Sequence, residues 1–227
     1  MRKFVDLHII PGASNVDSML NQAVKLGFSA IGVSGTKPKV DNIDTVSRLD
    51  ITPKNQEQLN NMLRNSRRKF EVISVICQNK NVARQAAKDN RVDIIKFPLD
   101  QNKRRAVWLD HHQANLMKES GCSYEIDIRD LLIHDASTME NRLRRISRET
   151  HIASKADIPI IASSGAHKAL EMREPKAIAS ILNLIEVDYE EALNMVSENP
   201  YSIIIKNRSK LSKSYIMPGV WLNEAPP

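Results

Sequence analysis

Phe4-Val5-Asp6-Leu7-His8-Ile9-Ile10 sets five β-favouring apolar residues around one acid and one imidazole. Such a run reads as a buried strand that carries two polar groups to one end. Working outward, Val16, Met19, Leu20, Ala23 and Leu26 form an i, i+3, i+4 stripe that ends at Gly27, the signature of a helix. Ser14 with Asp17 three residues on resembles a capping box. Ala30-Ile31-Gly32-Val33-Ser34 is then a second strand.

After a looser polar stretch with Ser34 to Lys39 and a short Arg48-Leu49-Asp50-Ile51, the alternation resumes. Helical periods over 53–69, 81–90 and 110–120 separate apolar runs at 72–76, 92–97 and 124–128. A long helix follows with Met139, Leu143, Ile146 and Ala153 on its apolar face, then a strand over 158–162. Pro175 opens another helix, and a weaker unit runs from Tyr189 through Val196 to Ile203-Ile204-Ile205. About seven strands, each followed by a helix, predict an α/β fold with a parallel, closed or nearly closed sheet. A TIM-like barrel is the first expectation and a doubly wound open sheet the second. One barrel domain over residues 1–207 is expected, followed by a basic, then apolar, tail over 208–227.

The 227 residues are 41% hydrophobic and 26% charged, enough for a core and a hydrated surface. Thirty-three Lys and Arg against 27 Asp and Glu give a formal charge of +6, which favours an anionic partner. Aromatic residues are only 4%, so nucleic acid would be held through phosphates and shape rather than stacked bases. Neither a P-loop nor a G-x-G-x-x-G fingerprint is present among the seven glycines, which argues against a nucleotide-driven motor or a dehydrogenase. Cys77 and Cys122 lie in or beside apolar runs and read as buried free thiols. With no signal peptide, lipidation motif or membrane span, a cytoplasmic protein with no membrane partner is expected.

In a barrel, function sits in the loops after the strands. Asp6, His8, Glu125, His134 and His167 all fall at or just past strand ends and are the candidate metal ligands. His111-His112 cannot share a metal face, because adjacent helical residues point about 100° apart. Four basic clusters stand out: 64–69, 103–105, 142–148 and 206–213. Arg144 and Arg145 have acidic partners four residues away, so the third reads as ordinary helix surface. Lys103-Arg104-Arg105 is uncompensated in a loop after a strand and is a candidate phosphate contact. Ser163-Ser164-Gly165-Ala166, followed by Arg173 before a proline-opened helix, offers hydroxyls and amides of the kind that bind phosphate late in barrels. Arg84, Lys37 and Arg129 are further candidates near other strand exits.

The opening Asp6-Leu7-His8 resembles the PHP-type phosphoesterases, but that family places a second histidine where this chain has Ile10. Ser34-Gly35 stands where those enzymes offer Asp-His, and Gly165 stands where their late motif has an aspartate. More specifically, a set of motifs comes in the order found in the ribonuclease P protein component 3 family. It comprises Asp6-Leu7, Ala23 to Leu26-Gly27-Phe28, Arg48-Leu49, Val92-Asp93-Ile94-Ile95 and Tyr124-Glu125-Ile126 with Leu131-Leu132. Ser163-Ser164-Gly165-Ala166 with Arg173-x-Pro175 completes it. The resemblance, over Phe4 to Lys206, implies a metal-free barrel related to PHP domains and a non-catalytic subunit of ribonuclease P. It implies no catalytic residue, metal ligand or cofactor in this chain, with Mg²⁺ carried by the RNA subunit. The implied partners are the ribonuclease P RNA, protein component 2 and the other protein subunits, with precursor tRNA reached indirectly. Lys103, Arg104, Arg105, Arg173, Arg84, Lys37, Arg129, Ser163 and Ser164 are then the expected RNA contacts. The alternatives are a PHP-type metal-dependent phosphoesterase with a degenerate site and a protein-only scaffold.

Overall fold

The computed structural model describes residues 2–35, 38, 40–99, 107–132, 136–212, 214–217 and 220–222. The first half contains β1 (Val5–Ile9), α1 (Val16–Lys25), β2 (Ala30–Ser34), β3 (Asp44–Ile51), α2 (Gln56–Ser66), β4 (Val72–Ile76) and α3 (Lys80–Lys88). The sheet continues with β5 (Ile94–Lys96), α4 (His111–Ser120), β6 (Ser123–Asp127), α5 (Arg129–Leu132), α6 (Ala136–Lys155) and β7 (Ile160–Ser163). Last come α7 (Pro175–Leu182), α8 (Tyr189–Met195), α9 (Glu198–Leu211) and a small hairpin of β8 (Tyr215–Met217) and β9 (Val220–Trp221).

The seven strands β1 to β7 pair in sequence order, all parallel, as the alternation of apolar runs and helices predicts. The ring is nearly closed: β1 meets the segment just past β7, where the Gly165 N–H donates to the His8 carbonyl (2.9 Å) and the Ile10 N–H to the Ala166 carbonyl (2.8 Å). Asn55, Asn79 and Asp110 each accept a backbone N–H at the start of the following helix, so three strand-to-helix turns are fixed by Asx caps. At α1 the cap position is Asn15 rather than Ser14, and its amide instead donates to the His167 carbonyl (2.8 Å).

Side chains alternate across each strand. Outward residues such as Ile31, Ile73, Ile95, Tyr124, Ile126 and Ile160 pack under the helices. Inward residues make a dry lower layer from Val5, Leu7, Ala30, Val46, Val72, Ile94 and Ile161, capped by Ile203 and Ile204 of α9. α9 thereby plugs the end where the strands begin. No helix among the described residues is long and apolar enough to cross a membrane.

Two expectations are corrected. The short Arg48–Ile51 run is the second half of an eight-residue strand, β3, which follows β2 with no helix between them among the described residues. Its inward positions are Val46, Arg48 and Asp50, so burial of charged groups hides the apolar alternation. Conversely, Ile203-Ile204-Ile205 is helical: Pro200, Ile203, Ile204 and Asn207 are buried while Ile205 is half exposed, the spacing of one helix face. The residue-207 boundary therefore falls inside α9, where Arg208 is pinned to the barrel by Asp44 and Glu71 (2.7 Å each).

Candidate functional site

Above the dry layer, toward the strand exits, the barrel interior turns polar. β1 holds one more residue than β2 between Asp6↔Ile31 and Ile9↔Val33, a bulge at Leu7-His8. Gly32 lies against it, and a Cβ there would sit 2.1 Å from the Leu7 carbonyl oxygen. That oxygen accepts a hydrogen bond from the Arg48 guanidinium (2.9 Å).

Arg48 is the centre of the site. Its two terminal nitrogens donate to the two oxygens of Glu125 (2.7 and 2.5 Å), and it also donates to Asp50 Oδ1 through Nη2 (2.7 Å) and Nε (3.0 Å). Ser163 donates to Glu125 Oε1 (2.8 Å) and Ser34 to Asp50 Oδ2 (2.6 Å). Register brings these together: Arg48 of β3 lies beside Ser34 of β2, and Asp127 of β6 beside Ser163 of β7.

A second cation, Lys96, pairs with Asp127. His8 bridges the two halves, with Nδ1 3.0 Å from Asp127 Oδ1 and Nε2 3.4 Å from Asp50 Oδ2. Two cations thus face three carboxylates around one imidazole. Burial would raise the Glu125 carboxyl, but the charge and hydrogen bonds of Arg48 outweigh it and hold it at about 2. Asp50 is likewise held well below the usual carboxylate range, Arg48 again overcoming burial. Burial, with Arg48 and Lys96 adding to it, lowers His8, so the ring is neutral at pH 7. Asp6 is pushed up by burial; its Oδ1 accepts the N–H groups of His8 (3.1 Å) and Ser164 (3.0 Å) and pins β1 to the segment beyond β7.

His8, Glu125 and Asp127 offer ligand atoms within 4.8 Å of one another, a spacing that a metal ion could use. The donors are already engaged: both Glu125 oxygens hold Arg48, and Asp127 holds Lys96 and His8. A divalent cation would have to displace a bidentate guanidinium, so the residues present do not fit a resident metal. Gly165 belongs to the same arrangement. Its φ is +62°, and a Cβ there would come within 2.9 Å of the Asp127 carboxylate carbon, so an aspartate at 165 has no room.

The expected contact residues divide. Lys37, Lys103, Arg104, Arg105 and His134 lie outside the described residues. Arg129 is at the strand-exit end, paired with Glu171 (3.0 Å), which also accepts the His167 N–H (2.8 Å). Arg173 is exposed and donates to the carbonyls of Leu170 and Met172 (2.9 Å each), shaping the turn before α7. Arg84 is paired with Asp110 (2.5 Å) and joins α3 to α4. Ser163 and Ser164 are both buried, the Ser163 hydroxyl donating to Glu125 (2.8 Å) and the Ser164 hydroxyl to the His8 carbonyl (3.3 Å). Sequence reading missed Arg48, Asp50, Lys96 and Asp127 as a set. The available signal was charge recurring every second residue, at Arg48/Asp50 and Glu125/Asp127.

Comparison with known proteins agrees with this geometry. The family model described as RNase P subunit p30 matches residues 3–212. A ribonuclease P protein component 3 from Methanococcoides burtonii is 24% identical over 100% of this chain and 96% of its own length. Another from Methanosarcina mazei is 24% identical over 94% and 92%. Among solved structures, a chain of an archaeal ribonuclease P captured with mature tRNA superposes with a TM-score of 0.83 at 18% identity, over 98% of this chain and 99% of that one. An ochratoxinase from A. niger shares the fold more loosely, with a TM-score of 0.60 at 10% identity, covering 90% and 71%.

Proposed function

The chain belongs to the RNase P subunit p30 family, and from that premise we propose that it is a non-catalytic protein subunit of ribonuclease P. In this role it binds the catalytic RNA and supports cleavage of the 5′ leader from precursor tRNA. One observation carries the non-catalytic part: of the three groups spaced to hold a metal ion, Glu125 is held through both oxygens by Arg48 and Asp127 is paired with Lys96. The carboxylates a metal would need are spent on holding the barrel together. In this reading Mg²⁺ acts on the RNA subunit, and this chain works through its surface, with protein component 2 and the other subunits as neighbours. The net charge of +6 suits an RNA partner. The two buried free thiols suit a reducing cytoplasm.

Reconstitution tests the reading. Precursor tRNA cleavage by the ribonuclease P RNA with its protein subunits is expected to slow when this chain is left out and to recover when it is added. The chain alone is expected to leave precursor tRNA and a simple phosphomonoester intact. Cleavage of either by the isolated chain would overturn the proposal.

A further inference from the structure

Residues from two basic clusters far apart in sequence, Arg67 and Arg68 from one and Lys210 from the other, are brought together at the end of the barrel opposite the strand exits. The last turns of α2 and α9, the loop after α3 and the hairpin strand β8 enclose a cavity of ≈ 690 Å³ there. Its lining includes Arg67, Arg68, Arg91, Lys210, Asn90 and Tyr215, and no acidic residue among the described ones.

Part of this charge has a structural purpose. Arg67 is spent on Asp93 (2.5 Å) and on the carbonyls of Phe70, Glu71 and Arg91, and Arg91 is spent on Asp89 (2.6 Å). Arg64, Lys88 and Lys210 fall in last helical turns, where cations complement the helix dipole. A helix C-terminus offers only partial charge and does not neutralise a cation fully. Arg68, Lys206 and Lys210 have no carboxylate partner among the described residues, and Lys206 reaches only the Gly121 carbonyl (3.4 Å). Lys206 and Lys210 are four apart on α9, a like-charge pair that weakens the helix. Burial and the neighbouring Lys206 lower the Lys210 ammonium, against the opposing pull of Asp93.

We infer that this groove is a second binding surface, for the phosphate backbone of RNA, formed by Arg68 and Lys210 of its lining with Lys206 one helical turn before Lys210 on α9. It rests on the subunit reading above, because that reading supplies the polyanion. Charge complementarity selects the occupant: an open cavity lined by ammonium and guanidinium groups and no carboxylate among the described residues fits phosphates. The chain then touches RNA at both ends of its barrel.

The full chain and a ribonuclease P RNA transcript test this by filter binding over a series of KCl concentrations. The triple variant Arg68→Ala/Lys206→Ala/Lys210→Ala is compared with the unaltered chain and with Arg104→Ala, after thermal melts show that each folds. Every phosphate that the protein no longer neutralises lowers the slope of log K against log salt by about 0.7–0.9. A fall of about two units is therefore expected in the triple variant. An unchanged slope in the triple variant, with a reduced one in Arg104→Ala, overturns the second surface and leaves the subunit reading intact. Absence of salt-dependent RNA binding by the unaltered chain overturns both. Normal RNA binding with loss of a partner subunit would assign the groove to an acidic protein surface instead, and would equally overturn the inference.

Discussion

Arg48 and Glu125 meet across the barrel interior in a two-pronged ion pair, 2.7 and 2.5 Å, with both side chains wholly buried. β3 and β6 are not neighbours in the sheet, so this pair ties opposite walls of the barrel. Asp50, Ser163 and the Leu7 carbonyl complete the guanidinium and carboxylate hydrogen bonds, which is the condition for a buried pair to be tolerated.

Removing one side of such a pair strands the other in a low-dielectric interior. Arg48→Met is expected to cost about 3–5 kcal/mol, the usual result of leaving a buried charge uncompensated. Adding Glu125→Leu to it should return part of that loss, with Asp50 still short of its partner. Urea unfolding of the single and double variants checks this. A double variant less stable than the single one would show that the pair is not the source of the cost.

Two buried carboxyls should make stability depend on pH with opposite signs. Glu125 is depressed to about 2 against 4.5 in the unfolded chain, so its contribution is present above pH 4.5 and lost as pH falls toward 2. Asp6 is raised above 3.8, so the folded state holds its proton more tightly and stability declines as pH rises from 3.8 through the folded value. Asp6→Asn keeps an oxygen for the His8 and Ser164 N–H groups and should flatten that decline. Asp6→Ala should orphan both donors and cost about 1–3 kcal/mol for each. Denaturant unfolding between pH 3 and 8 separates the cases, and an Asp6→Asn profile parallel to that of the unaltered chain would refute the assignment.

Arg104→Ala should weaken RNA binding uniformly across sequences and lower the salt slope by about one unit. Arg173 also braces the Leu170 and Met172 carbonyls, so Arg173→Ala removes a turn brace along with a charge. Arg173→Lys keeps the charge without the planar fork and should retain most of the slope. Salt titration of both Arg173 variants checks the distinction. Equal slopes for Arg173→Ala and the unaltered chain would confine Arg173 to the turn.

Strands β1, β2 and β4 to β7 were legible because apolar residues run or alternate through each. β3 was not, since Thr45 and Ser47 on its outward face and Arg48 and Asp50 on its inward face interrupt the pattern. Three consecutive isoleucines at 203–205 suggested a strand, yet α9 uses two of them to plug the barrel and leaves Ile205 toward solvent. Loss of metal ligands could be read at Ile10 and Gly165. What holds the carboxylates could not be, because Arg48 is brought to Glu125 and Lys96 to Asp127 by the closing of the barrel, which a single sequence does not state.

The replacement of metal by internal cations leads to the last prediction. Elemental analysis of the purified chain should find no stoichiometric zinc or manganese, since Glu125 and Asp127 already hold Arg48 and Lys96. Lys96→Met frees Asp127 next to His8, but Glu125 stays held by both terminal nitrogens of Arg48. Arg48→Met/Lys96→Met releases both carboxylates, so added zinc should raise the melting temperature of that double variant while leaving Lys96→Met and the unaltered chain unmoved. If instead the unaltered chain carries near one metal per molecule and hydrolyses a phosphomonoester, with both properties abolished in His8→Ala, the barrel is an enzyme and Arg48 a part of its active site.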